Sequence, residues 1–187
     1  GKWPEYETLW AFGPNSGIDD LDMIARYDYM CDDVGVDTID VGGAMALLME
    51  AGVLKFGDAE GAFKLMEEIS LGSPIGRILG SGVAVTGKVY GLRRVPEVKG
   101  QGLPAYDPRA VKGQGVTYAT TPMGADHPAG YAVPTNILSV GGTVHPLTPA
   151  VQAALSRNLQ TATAAADPTG LSLLVAVAAM HQPHALV

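Results

Sequence analysis

A chain of 187 residues with one cysteine, Cys31, has no means of closing an internal disulfide. Nothing in its thiol usage points to an oxidising compartment, so the expected location is the cytoplasm. One thiol is also too few for a four-iron cluster, which takes four Cys thiolates. Basic charge is scarce as well: 12 Lys and Arg stand against 19 Asp and Glu, a formal net charge of -7, with no basic cluster. A nucleic acid or an anionic membrane surface is therefore not an expected partner, and a small or electrically mixed ligand fits better. Long apolar runs are missing too. The most apolar stretch, Leu171 to Met180, covers ten residues and is too short to span a bilayer. Gly1-Lys2-Trp3-Pro4 has no basic-then-apolar signal character and no initiator Met, so the expectation is a chain that begins inside a longer protein. His145, His181 and His184 have no partners at metal-ligand spacing, and no metal ligands are assigned.

What remains, 47% hydrophobic and 17% charged residues, is the composition of a soluble globular chain long enough to bury a core. Apolar residues Leu21, Ile24, Tyr27, Cys31 and Val34 mark one face of a helix over residues 18–34, with Asp19 and Asp20 at its start and Gly35 at its stop. Residues 44–51 read as a buried helix preceded by Gly42-Gly43, which permit close packing. Asp58 caps a third helix through Leu71 with Ala62, Leu65, Met66 and Ile69 inward, and Ile75 opens a fourth. Residues 82–115 lose the helical period, which predicts loops and a short strand pair near residues 95–103. Asp107-Pro108 predicts a further helix start, ended by Pro122. Residues 123–149 are rich in Gly and Pro, a long ordered loop or a domain boundary. Thr148-Pro149 starts a helix with Val151, Leu155, Leu159 and Ala162 inward, and residues 171–180 give the last one. The expected fold is mainly α, in two helical units, 1–122 and 123–187.

One short pattern recurs. Asp32-Asp33-Val34-Gly35-Val36-Asp37 and Asp167-Pro168-Thr169-Gly170-Leu171-Ser172 both read D-x-x-G-[VL]-[DS], and each closes one helical pattern and opens another. Each should be a tight turn whose Gly permits close backbone approach and whose Asp faces a ligand. A carboxylate accepts hydrogen bonds and suits a ring bearing amine and N–H donors, while amides after the Gly meet the acceptors of the same ring. Helix caps and plain turns are the alternative for both.

Around these turns, Pro4-Glu5-Tyr6-Glu7-Thr8, residues 31–38, Pro104-Ala105-Tyr106-Asp107-Pro108-Arg109, Tyr118-Ala119-Thr120-Thr121, Gly124-Ala125-Asp126-His127 and Leu155-Ser156-Arg157-Asn158-Leu159-Gln160 occur in one order. Together they resemble the aldehyde ferredoxin oxidoreductase family, the tungsten (sometimes molybdenum) bis-pterin enzymes, over nearly the whole chain but only the later part of the family's length. The resemblance implies two helical domains, the family's domains 2 and 3, packed over a bis-pterin that a separate N-terminal β domain, absent from this chain, holds from the other side. It implies that Asp32, Val36 and Asp37 contact one pterin, with Gly35 giving the backbone approach, and that Asp167, Gly170, Leu171, Ser172 and Leu173 line the region of the other. Glu7 and His127 match the family's active-site acid and histidine and are the candidate catalytic residues, moving protons during aldehyde oxidation.

Three cluster-ligand cysteines are implied upstream of Glu7, outside the chain, and a fourth at the position occupied here by Ser172. A hydroxyl is a poor replacement for sulfur at iron. The 4Fe-4S ligands are thus not supplied by this chain. The implied partners are an aldehyde or carboxylic acid substrate, ferredoxin or an electron-transfer subunit, a missing N-terminal part or partner chain, and an oligomer. Two other readings stay open: a ring-reducing subunit of the benzoyl-coenzyme A reductase type, and a degenerate structural or assembly subunit that binds no cofactor, for which Ser172 and the missing cysteines speak.

Overall fold

Six helices and a hairpin build the first of two compact units, Gly1–Ala105, and the second is Tyr106–Val187. The computed structural model describes residues 3–170. Leu171, Ser172 and Leu173, and the helix expected over residues 171–180, lie outside the described residues. The sequence places its boundary between residues 122 and 123. The compact units part instead between Ala105 and Tyr106, and residues 106–122 go with the second unit because their helix packs on the helix that follows Thr148.

The first unit contains α1 (Tyr6–Phe12), α2 (Leu21–Val34), α3 (Thr38–Glu50), α4 (Ala59–Leu71), α5 (Pro74–Gly80), α6 (Gly82–Val89) and the antiparallel pair β1 (Glu97–Val98) and β2 (Gln101–Gly102). Most ends are written locally. Asp20 caps α2 by accepting from the amides of Asp22 and Met23, Asp58 caps α4 through Gly61 N, and Ser73 with Pro74 opens α5. A cap of this kind is worth about 1 kcal/mol. Gly35 and Gly72 end α2 and α4 in the left-handed conformation that glycine adopts without penalty.

Helix α3 is apolar nearly all round and lies against both α1 and α6, with Val41, Ala44, Met45 and Leu48 buried. Gly42 and Gly43 sit inside this helix rather than before it. A Cβ on Gly42 would stand 2.6 Å from Ala11 Cβ, and one on Gly43 2.7 Å from Val83 Cγ2, so both are required for close helix contact. Helix α2 buries Ile24, Tyr27 and Cys31 as its period predicts, but Leu21 at its first turn is 55% exposed. The Tyr27 ring packs 5.1 Å from that of Phe12, its hydroxyl donates to Ala59 O at 2.6 Å, and burial pushes its pKa up to about 12.

Helix α6 departs from the sequence expectation of loop. Its two glycines and branched residues are poor helix formers, and no local side chain caps it. Its cap arrives from α3 instead: Asp40 Oδ1 accepts from Val83 N at 3.0 Å, and the same carboxylate takes an amide hydrogen bond from Gly102 on β2. Tertiary contact here overrides weak propensity.

The second unit contains α7 (Lys112–Thr120), α8 (Val133–Ile137) and α9 (Gln152–Ala166), with a 3-10 turn at Pro128–Gly130 between α7 and α8 and another at Asp167–Thr169 after α9. Asp107-Pro108 does not start a helix. Asp107 instead folds a turn, accepting from Arg109 N at 2.8 Å and from its guanidinium, and the helix waits until Lys112. The inward face of α9 is also different from the one predicted. Gln152, Ser156 and Thr163 are buried, Leu155 and Leu159 only half-buried, and Val151 and Ala162 are exposed. The reason is what α9 covers: it packs on α7 and on the Pro128–Gly130 turn, whose backbone groups need partners that an apolar face does not have.

Candidate functional site

Both D-x-x-G turns share one backbone device. At the first, α2 ends in Gly35 at φ 74°, and the amides of Gly35 and Val36 both donate to Cys31 O, at 2.9 and 3.0 Å. At the second, α9 runs into the Asp167–Thr169 turn and Gly170 follows at φ 73°, its amide donating to Asp167 O. A Cβ built on either glycine would meet nothing within 4 Å among the described residues. Each turn therefore presents an open, left-handed glycine that a flat ligand can approach closely.

In the first unit, Asp32 and Asp37 are exposed at this edge while Val36 packs back against the core. Asp37 also accepts from Asp40 N at 2.8 Å and so caps α3, which gives it a structural role in its own right. Glu7, half-buried on the first turn of α1, accepts from Ala105 N at 2.9 Å through Oε2. The next residue, Thr8, meets Thr38 hydroxyl to hydroxyl at 2.8 Å. Thr8 follows Glu7 and Thr38 follows Asp37, so this contact ties the helix that carries Glu7 to the first turn.

The second unit gathers the rest. Asp167 and Asp126 line one cavity of about 410 Å³ together with Thr121, Gln160 and Thr163. Burial raises the Asp126 carboxyl and the Asp167 charge adds to this, while His127 and the Ala129 amide oppose it. Two carboxylates facing one cavity make an acceptor-rich wall, suited to a ligand edge bearing N–H donors. His127 is half-buried with its ring centroid 5.5 Å from Tyr106 and 6.0 Å from Tyr131. Tyr131 donates its hydroxyl proton to Tyr106 Oη at 2.8 Å, so the imidazole stands in a small aromatic group with phenol hydroxyls at hand.

Sequence reasoning left both tyrosines out of the site. Tyr106 carried a signal, since it lies in the Pro104-to-Arg109 string, whereas Tyr131 carried none. Asp126 stood beside His127 in a quoted string but was given no role. Arg109, in the same string, is turned onto Asp107 at 3.0 Å and holds that carboxyl below its ordinary range.

The donor set decides which groups these residues suit. The described residues contain no cluster of three or more His, Cys, Asp or Glu placed to hold a metal ion. Cys31 is fully buried on α2, and burial, reinforced by Asp28, Asp37 and Asp32, pushes its thiol up to about 12. It does not fit an iron-sulfur cluster, which binds thiolate. The two turns do fit a pterin: a carboxylate acceptor, an open glycine and backbone groups within one short segment. No helix among the described residues is long and apolar enough to cross a membrane.

For this mainly helical chain, comparison with known proteins identifies the family. Residues 1–186 match the family described as aldehyde ferredoxin oxidoreductase, domains 2 and 3, and the chain belongs to that oxidoreductase family. It is 36% identical over 150 residues to the tungsten-containing aldehyde ferredoxin oxidoreductase of Pyrococcus furiosus, 35% over 150 residues to that of Thermococcus kodakarensis, and 37% over 152 residues to that of Pyrococcus horikoshii. Each alignment covers 72% of this chain and 25% of the relative, so the chain spans about a quarter of the length of the curated relatives it matches.

Proposed function

We propose that this chain forms the helical wall of a tungsten (or molybdenum) bis-pterin site in a cytoplasmic enzyme that oxidises aldehydes to carboxylic acids. The observation that carries this reading is the repeated turn: two helix ends, far apart in sequence, each presenting an Asp beside an open left-handed glycine. When bound, the metal-pterin group supplies two-electron redox chemistry, which no side chain of this composition provides.

The chain's own residues bind and manage protons. Asp32 and Asp37 accept from the N–H edge of one pterin, with Gly35 and Val36 giving the backbone approach. Asp167 and Gly170 do the same for the other, joined by Leu171, Ser172 and Leu173. Conversion of an aldehyde and water to an acid releases two electrons and two protons, and a base and an acid are needed near the carbonyl. Glu7, whose carboxylate accepts from the Ala105 amide, orients water or takes up a proton. His127, against two phenols, polarises the carbonyl or donates a proton. The iron-sulfur cluster that would accept the electrons, and pass them to ferredoxin, is held by ligands outside this chain, since Cys31 is buried and Ser172 is a hydroxyl.

The test is aldehyde-dependent reduction of ferredoxin or a viologen dye by the complete, metal-loaded protein and by its His127→Asn and Glu7→Gln variants. Loss of a positioned general acid or base is expected to lower kcat by about 100-fold or more. Full activity in both variants would overturn these assignments. A loaded protein that ignores aldehydes but reduces an aromatic coenzyme A thioester would move the chain to the ring-reducing relatives.

A further inference from the structure

We infer that Gln114 is the positioning residue for His127, a latch that fixes the imidazole through the backbone that carries it; this rests on the proposed role of His127. Gln114 lies on α7 with no exposed surface. Its Nε2 donates to His127 O at 3.0 Å and its Oε1 accepts from Ala132 N at 3.0 Å, so one side-chain amide spans the whole turn from residue 127 to residue 132. Only one orientation of the amide satisfies both bonds, which fixes the direction of the bridge.

The latch is supported on both sides. Thr117, one turn along the same face of α7, donates to Gly130 O at 2.8 Å and is met by Ser156 of α9 at 2.7 Å. Thr163 of α9 reaches Pro128 O at 3.3 Å. A single 3-10 turn gives these carbonyls only its own short i-to-i+3 bonds, of poorer geometry than an α-helix or sheet ladder, and each buried polar group left unpaired costs about 1–3 kcal/mol. Burying a full-length Gln, two Thr and a Ser to hold three residues of 3-10 turn is a large polar investment for a connection. Its effect is local: the turn it fixes carries His127 at one end and Tyr131 at the other, the two rings of the aromatic group that come from this segment.

A proton donor has to stand within a fraction of an ångström of its target, and a misplacement of about 1 Å costs about 100-fold in rate. Removing the bridge frees the turn while leaving His127 itself unchanged. The experiment uses two variants of the complete protein. Gln114→Leu deletes both hydrogen bonds. Gln114→Glu is nearly isosteric and keeps the acceptor for Ala132 N, but places an oxygen against His127 O and so decides the matter should the leucine variant fail to fold. The readouts are kcat against KM for aldehyde oxidation and, independent of turnover, the rate at which diethyl pyrocarbonate modifies His127, followed on its peptide by mass spectrometry.

Expected are a kcat lowered by about 10- to 100-fold with KM nearly unchanged, and modification of His127 accelerated several-fold in both variants. Ser156→Ala, which reaches the turn only through Thr117, should lower Tm and accelerate modification less than either Gln114 variant; equal acceleration would assign the effect to the network as a whole and not to Gln114. Unchanged kcat and unchanged modification in folded Gln114 variants would overturn the latch. Unchanged kcat in His127→Asn, with faster modification in the Gln114 variants, would instead retain the latch and remove the catalytic role of His127.

Discussion

A thiol sealed inside α2 and surrounded by Asp28, Asp37 and Asp32 is the least reactive form a cysteine can take. Cys31 is accordingly expected to resist iodoacetamide at about pH 8 in the folded protein and to label fully in denaturant; rapid labelling of the native protein, read by intact mass, would contradict its burial. Asp40 gives a prediction of opposite practical sign. Burial raises its folded-state pKa above the ordinary 3.8, although the Val83 and Gly102 amides pull it down. As pH rises from 3.8 to the raised value, the unfolded chain ionises first and binds fewer protons than the folded one, so stability is greatest below this window and declines through it. Tm of the wild type should therefore fall more steeply with pH across that window than Tm of Asp40→Asn, and parallel curves would count against the assignment. Of the residues proposed for the site, Glu7, Asp32, Asp37, His127 and Asp167 were named from recognisable strings. Gln114 and Tyr131 were not legible, because an isolated Gln or Tyr means nothing until its partner, here a turn 13 residues from Gln114, is placed beside it.

Elements announced themselves where their end signals are local. Asp20, Gly35, Asp58, Gly72 and Ser73-Pro74 mark helix ends by chemistry that acts within three or four residues. Replacing Asp58 by Ala should lower stability by about 1 kcal/mol, measured by urea unfolding, and an unchanged midpoint would deny its capping role. Helix α6 was illegible for the converse reason, since its cap comes from Asp40 across 43 positions of chain. Helix α9 had the right place and the wrong face, because periodicity counts apolar residues and its buried stripe is polar. At the α1–α3 contact, Gly42→Val would drive a branched side chain into Ala11, where even a Cβ stands 2.6 Å from Ala11 Cβ. A loss of about 1–3 kcal/mol or more is expected in the same unfolding experiment; a variant as stable as the wild type would mean that the two helices do not approach as closely as described.

At the scale of the whole molecule, the helical class and the family were both readable from sequence. The class follows from apolar spacing and the family from motif order. What periodicity does not reach is the extent of each unit. The glycines and prolines of residues 123–149 look like a boundary, yet Gln114 and Thr117 of α7 bind this stretch into the same unit as themselves. In the proposed enzyme the two turns, the acid and the histidine serve a metal-pterin group, and the cluster ligands come from elsewhere. The most direct measurement is the tungsten and molybdenum content of the complete protein, by mass spectrometry, after expression in a host that makes the pterin cofactor. The account predicts close to one metal atom for each copy of this chain, with iron present, and a clear loss of tungsten or molybdenum when Asp32 and Asp167 are both replaced by Ala. Absence of both metals from the folded wild-type protein would contradict it and leave a helical relative that has lost the cofactor.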